Sequence, residues 1–134
     1  KAEVASLKGI ILLNRQVYSG DTKGEVRLLH DAGKLLDFAQ NHQIELIKLN
    51  PDQLHSYYTI PFALHHDLKK SKVNCDYLLI HSSSHFKDFR IDYSEYWEAI
   101  RNHFTFVAEA ERHIQQKASL SSEEIRNLPP ISNL

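Results

Sequence analysis

Apolar residues recur along this chain with two alternating periods. Short apolar runs at 9–13, 44–48 and 75–80 have the length and composition of buried strands. Between them, apolar residues recur every three or four positions, which is the period of a helix. The segment 104–109 fits either a short fourth strand or part of a helix reaching residue 116. The pattern therefore predicts strand and helix in alternation.

The longest predicted helix runs from Glu25 to His42. Its apolar positions form a broad stripe that suits packing on a sheet. Gly33 lies inside this helix, where glycine costs up to about 1 kcal/mol relative to alanine, so we expect it to permit a close approach of helix and sheet. The stripe consists of Val26, Leu28, Leu29, Ala32, Leu35, Leu36, Phe38 and Ala39.

Two further helices have recognisable starts. Pro61 suits the first turn of a helix, because its missing N–H would be unpaired there in any case. Residues 92–95 read D-x-x-E, which is a helix-start signal. Tyr93, Tyr96 and Trp97 follow at helical spacing, and we interpret them as core or subunit interface rather than as a base-stacking surface.

This order of elements predicts an α/β fold: a three-layer α-β-α domain with a mostly parallel sheet of three to five strands. A chain of 134 residues is one domain. We assign residues 1–116 to the domain and 117–134 to a helical C-terminal tail. Ligands bind at the carboxyl ends of parallel strands, where the loops 14–24, 49–59 and 81–91 would meet.

Composition and charge exclude several classes of protein. Sixteen Lys and Arg against seventeen Asp and Glu give a net charge of -1, so DNA binding by this chain alone would be weak. No apolar run approaches the ~20 residues of a membrane span. One cysteine and no visible secretion signal favour the cytoplasm. The absence of methionine suggests a piece of a longer chain.

The loop after the first strand holds the best candidates for chemistry. Arg15 could clamp a phosphate, because the guanidinium fork matches phosphate oxygens, and Ser19 could act as a nucleophile. The same residue types also suit a solvated turn. No glycine-rich dinucleotide or nucleoside-triphosphate motif is present, so we predict no cofactor.

Histidine is frequent, with nine residues in the chain. His81 and His85 lie four positions apart, but such a spacing aligns side chains only on a helix, and we expect a loop there. The adjacent His65 and His66 would point in different directions on a helix. No zinc-ligand spacing accompanies either pair, so we predict no metal site.

The order of segments from roughly residue 8 to residue 112 resembles the N-terminal catalytic domain of serine recombinases, the resolvase and invertase family. In that family the first strand ends in a Y-x-R-V-S pattern. Here the segment 13–17 reads Leu-Asn-Arg-Gln-Val, so Arg15 matches the family's arginine and Val17 stands in the place of the nucleophilic serine. The segment 107–112 resembles the start of the family's long dimerisation helix.

Further positions match the family only in part. The family's aspartate and serine correspond to Asp52 and Ser56, and its Arg-Pro pair to a segment in which Ile60 replaces the arginine. The segment 84–88 fills the slot of D-R-L-x-R without either arginine. The resemblance thus implies that the binding residues are Arg15, Asp52, Ser56, Ser84, His85 and Lys87.

These departures argue against strand transfer. Recombinase chemistry attacks a phosphodiester with a serine and stabilises the developing charge with several cations. Loss of one such donor costs ~10²–10³ in rate. The resemblance therefore implies a non-catalytic domain that acts by association, as a homo-oligomer or with a protein partner, in a DNA-recombination or mobile-element context. Two alternatives stay open: an active DNA phosphoryl transferase that uses Ser19 and Arg15, and a small anion- or nucleotide-binding α/β module.

Overall fold

A computed structural model describes residues 7–20 and 22–110. The predicted tail, 117–134, lies outside these residues. Several elements are short, and four of them occupy segments in which we expected loops. In chain order the elements are β1 (Leu7–Leu12), α1 (Arg15–Tyr18), α2 (Gly24–Asn41), β2 (Ile44–Leu46), β3 (Tyr57–Tyr58), α3 (Pro61–Ser71), β4 (Cys75–Ile80), a 3-10 turn (Ser83–Phe86), α4 (Lys87–Asp92), α5 (Ser94–Arg101) and β5 (Phe104–Glu109).

The strands form one sheet in the order β2-β1-β4-β5, and β3 pairs with the end of β1 beyond β2. Every pairing in the described part of the chain is parallel. The prediction of an α/β fold with a mostly parallel sheet is therefore confirmed. The carboxyl ends of β1, β4 and β5 lie along one edge, which we call the carboxyl edge.

Helices cover both faces of the sheet, because side chains along a strand alternate between its faces. Ile11, Leu13 and Leu79 pack with α2 on one face. Ile10 and Leu78 pack on the other face with α3, α4 and α5. The order of layers is helix, sheet, helix, as the pattern predicts.

The buried side of α2 is narrower than predicted. Val26, Leu29 and Leu36 belong to the predicted stripe, yet their exposed fractions are 67%, 53% and 37%. The reason is geometric: only one side of the helix contacts the sheet, and a stripe of eight apolar positions is wider than that side. The buried positions are Leu28, Ala32, Leu35 and Ala39, and the partly buried Phe38 packs against them.

The close approach expected at Gly33 occurs at other glycines. A Cβ on Gly33 would meet no described heavy atom within 4 Å. A Cβ on Gly9 would lie 2.7 Å from the Cγ2 atom of Ile44, and one on Gly24 would lie 1.8 Å from the carbonyl oxygen of Tyr18. The expectation for Gly33 is therefore wrong, and Gly24 is the glycine that lets α2 begin against α1.

Several local predictions also change. The expected loop 14–24 contains α1, the expected loop 49–59 contains β3, and the expected loop 81–91 contains the 3-10 turn and α4. Helix α5 begins at Ser94, so the D-x-x-E signal does not mark its start. The segment 104–109 is strand β5, because it extends the sheet beside β4, and residues 107–109 therefore do not begin a dimerisation helix.

None of the helices in residues 7–20 and 22–110 combines the length and apolar character needed to cross a membrane.

Candidate functional site

A small open pocket lies at the carboxyl end of β1. The side chain of Asn14 accepts a hydrogen bond from the backbone N–H of Gln16 (3.2 Å) and so starts the short helix α1. The backbone N–H of Arg15 donates to the carbonyl oxygen of Thr59 (2.8 Å), which fixes this helix beside β3. The pocket has a volume of about 140 Å³ and is lined by Arg15, Tyr18, Ser19, Gly24, Glu25 and Leu28.

The pocket combines groups of both charge signs. Arg15 supplies a cation, and Glu25 supplies a carboxylate in the first turn of α2. The hydroxyl of Ser19 donates to the carbonyl oxygen of Gln16 (2.8 Å). The N-terminus of α2, at Gly24 and Glu25, borders the pocket, and the positive end of a helix dipole attracts anions.

Tyr18 forms a buried wall of the pocket and is only 5% exposed. Its hydroxyl donates to the Oδ2 atom of Asp31 (2.5 Å). Burial, together with this hydrogen bond to a carboxylate, raises the pKa of Tyr18 far above its usual value. The edge of its ring meets His85, with ring centroids 5.6 Å apart. Tyr18 is thus a neutral donor that links the pocket to a second group of side chains.

That second group is the Asp31–His81–His85 cluster. His81 directly follows β4, and Ser82 caps the 3-10 turn that carries His85. The two imidazole rings lie nearly parallel (20°) with centroids 5.5 Å apart. The Nε2 atom of His81 is 3.4 Å from the Oδ1 atom of Asp31. The expectation that these two histidines would not align is wrong, because a capped turn replaces the extended loop.

The remaining predicted site residues lie elsewhere. Asp52 is exposed in a turn before β3, and Ser56 precedes the same strand, so neither follows a strand to the carboxyl edge. Ser84 is exposed and pairs its hydroxyl with that of Ser82 (2.8 Å). Lys87 is exposed at the start of α4. In the described part of the chain, only Arg15 and Ser19 of the predicted residues line the pocket.

Sequence reasoning missed Tyr18, Glu25 and Asp31. Glu25 carried a detectable signal, because an acidic residue in the first turn of a helix next to a turn is typical of a helix start. Asp31 lies mid-helix and carried no local signal. Glu109 was also missed: it is 5% exposed at the end of β5, and its Oε1 atom has no hydrogen-bond partner among the described residues.

A scan against protein-family models, a search of curated proteins and a search of solved structures each found no match to this chain. The resemblance to serine recombinases therefore stays a prediction from sequence.

Proposed function

We propose that this domain binds a small phosphate-bearing molecule in the pocket at the carboxyl end of β1. The observation that carries the proposal is the meeting of Arg15, Ser19 and the N-terminus of α2 around one open space. A guanidinium and the N–H groups of a helix N-terminus both donate hydrogen bonds to phosphate oxygens. The position agrees with the general rule that parallel sheets bind ligands at the carboxyl ends of their strands.

We favour ligand binding over a phosphoryl-transfer reaction in which Ser19 is the nucleophile. A serine nucleophile needs a base that accepts its proton. The Ser19 hydroxyl instead donates to the Gln16 carbonyl oxygen, which is not a base. We therefore propose a binding module, and we rank the Ser19-dependent transferase below it.

Calorimetric titration of the full chain with inorganic phosphate, pyrophosphate and nucleoside diphosphates tests the proposal. Arg15→Ala should weaken binding about 10- to 100-fold, since a hydrogen bond to a charged group contributes about 1.5–3 kcal/mol. The matched control is Lys70→Ala, which removes an exposed cation on α3. Binding that is equally weakened by both variants would indicate general charge attraction and would contradict the proposal.

Glu25 provides a second, opposite test. Its carboxylate lines the same pocket and repels an anion. Glu25→Gln should therefore increase phosphate affinity while Arg15→Ala decreases it. If both variants lose affinity, the ligand carries a cationic group that Glu25 recognises, and the assignment to simple phosphates is wrong.

A second candidate function is association, which the sequence resemblance implies. The observation that favours it is an exposed aromatic patch formed by Phe62, Tyr93 and Tyr96, with exposed fractions of 41%, 46% and 41%. The ring of Phe62 lies 5.0 Å and 5.1 Å from the other two. Grouped exposed aromatic rings are typical of interfaces. We propose a second copy of this chain as the partner, in the DNA-recombination or mobile-element context named above.

Light scattering coupled to size-exclusion chromatography tests this candidate. The wild-type chain should form a dimer, and Phe62→Glu should convert it to a monomer because the change places a charge in the interface. Leu54→Glu is the control, since Leu54 is 88% exposed on a separate loop. A monomeric wild type up to about 100 μM, a concentration above most specific dissociation constants, would contradict self-association.

We further propose a cytoplasmic location. The single cysteine, Cys75, is a buried free thiol in the structure. Secreted domains of this size commonly use disulfides, whereas reducing compartments keep thiols free. Fractionation of cells that express the native protein tests this location, and recovery from an extracellular fraction would contradict it.

A further inference from the structure

The Asp31–His81–His85 cluster draws together three side chains that bind metals. Each residue offers one ligand atom, and the three atoms lie within 4.8 Å of one another. The Nε2–Oδ1 separation of 3.4 Å between His81 and Asp31 exceeds an ordinary hydrogen bond. It equals the spacing of about 3.4 Å between two ligands on a tetrahedral zinc ion with bonds of about 2.1 Å.

The two ring nitrogens of His81 differ in their surroundings, because Nε2 faces Asp31 and Nδ1 does not. The residue is only 9% exposed, and its Nδ1 atom is buried with no hydrogen-bond partner among the described residues. Buried imidazole nitrogens ordinarily have a partner, because leaving one without a partner costs free energy. A metal bound to His81 would take the Nε2 atom, which faces Asp31, and the Nδ1 atom would then carry the ring proton.

The surroundings hold the cluster in position. Tyr18 donates to the Oδ2 atom of Asp31, which leaves the Oδ1 atom facing His81 and, at 3.5 Å, the Nδ1 atom of the exposed His30. The side-chain amide of Asn14 donates to the carbonyl oxygen of His85 (2.9 Å) and anchors the 3-10 turn. Hydrogen bonds that orient the ligands are typical of metal sites and raise their affinity.

We infer that Asp31, His81 and His85 bind one divalent transition-metal ion, with zinc as the best-fitting ion. Two imidazoles and one carboxylate suit zinc, cobalt and nickel, whereas magnesium and calcium prefer oxygen ligands alone. Three protein ligands leave the fourth position of a tetrahedral ion open to water or to a bound molecule. This site goes beyond the proposed phosphate pocket and does not depend on it.

Competition against a chromogenic zinc chelator measures the site in the full chain. Wild-type protein should bind one zinc ion per chain, and excess magnesium should not displace it. His85→Ala and Asp31→Asn should each weaken zinc binding by more than about 100-fold, because losing a ligand exceeds the 10- to 100-fold effect of losing an outer hydrogen bond. The matched control, His66→Ala, removes an exposed histidine from α3 and should leave the affinity unchanged.

Cobalt gives a readout that stability changes do not imitate. Cobalt bound to the wild-type chain should show the visible absorption bands of a tetrahedral nitrogen–oxygen site, and His85→Ala should abolish them. His85 is only half-buried, and circular dichroism verifies that the variant folds. Failure of the wild type to bind zinc, or equal binding by wild type and His85→Ala, would overturn the inference. Arg15→Ala should retain zinc binding, so failure of the phosphate proposal remains distinguishable.

Discussion

At the scale of single residues, the hydrogen bond from Tyr18 to Asp31 connects the pocket to the histidine cluster. Tyr18→Phe removes the hydroxyl donor, so the partly buried Oδ2 atom of Asp31 loses this hydrogen bond. Hydrogen bonds to charged groups contribute about 1.5–3 kcal/mol, so we expect the free energy of unfolding to fall by about that amount. Urea denaturation monitored by fluorescence measures the change.

A second tyrosine provides the matched control. The hydroxyl of Tyr58 donates to the Oδ2 atom of Asp67 (2.7 Å), on the sheet face that α3 covers. Tyr58→Phe should lower stability similarly but leave zinc binding intact, whereas Tyr18→Phe should also weaken zinc binding. Equal effects of both variants on zinc affinity would contradict an orienting role for Tyr18.

Replacing each of the two glycines of α2 with alanine should change the stability of the protein in opposite directions. Gly33→Ala should stabilise the protein by about 0.5–1 kcal/mol, since the position is open and alanine lowers the entropy of the unfolded chain. Gly24→Ala should destabilise it, because the new Cβ would overlap the Tyr18 carbonyl oxygen. Thermal unfolding of both variants measures the difference. Stabilisation by both would show that α1 and α2 are not packed as described.

The surroundings of Cys75 predict how fast its thiol reacts. Burial, aided by Asp76, raises its pKa from the usual 9.0 to about 11. Its reactive thiolate at pH of about 8 is then about 100-fold rarer than in an unfolded chain. Alkylation of the native protein should therefore be much slower than in urea, as a thiol-reactive dye would report. Equal rates in both conditions would show that the thiol is accessible and its pKa ordinary.

The sequence revealed only those site residues that directly follow a strand or occupy a turn. Arg15 and Ser19 come just after β1, so the rule for parallel sheets places them at the carboxyl edge. Asp31 reaches His81 only through the packing of α2 on the sheet, across about fifty positions of sequence. No local pattern contains such a contact, which is why Asp31 was missed.

At the scale of elements, predictions succeeded where the periodic signal was long. Helix α2 spans eighteen residues and was located to within one residue at each end. The two-residue strand β3 is too short for an alternating pattern, and its tyrosines lie in a run of turn residues. The break between α4 and α5 at Tyr93 also follows packing rather than a capping signal, since Tyr93 makes no side-chain cap.

The contact between α3 and α5 predicts a pH dependence. His65 meets Tyr96 edge-on (centroids 4.9 Å apart), and burial, followed by the charges of Lys69, His103 and His66, lowers the His65 pKa below its usual 6.5. The unfolded chain then binds a proton at this residue before the folded chain does. Stability is complete above the unfolded pKa and falls as the pH drops below it, down to the folded pKa.

Replacement of His65 should remove this part of the pH dependence. His65→Gln should show a shallower loss of melting temperature than wild type when the pH falls from about 6.5 to about 5, the range below the ordinary histidine pKa. His55→Gln, at an exposed position before β3, is the control. A wild-type melting temperature that rises on acidification would reverse the sign and disprove the assignment.

At the scale of the whole molecule, the alternation of strands and helices was sufficient to predict the class of fold. Parallel pairing follows from helical crossovers between strands. The strand order β2-β1-β4-β5 was not predicted, because each central strand is an almost uniformly apolar run that carries no mark of its neighbours. The central position of β1 and β4 is thus a property of the assembled sheet.

This order predicts where the molecule is most stable. Ile11 and Leu79 are completely buried and face each other across the β1–β4 pair, whereas β2 and β3 cover the edge with only three and two residues. Hydrogen exchange should therefore be slowest in β1 and β4, where amides open only with global unfolding, and fast in 47–56. Slow exchange in β2 matching that of β1 would place β2 inside the sheet and refute the strand order. Because the segments after β1 and β4 carry residues of the pocket and of the histidine cluster, slow exchange in these strands would also show that both groups of residues stand on the most rigid part of the fold.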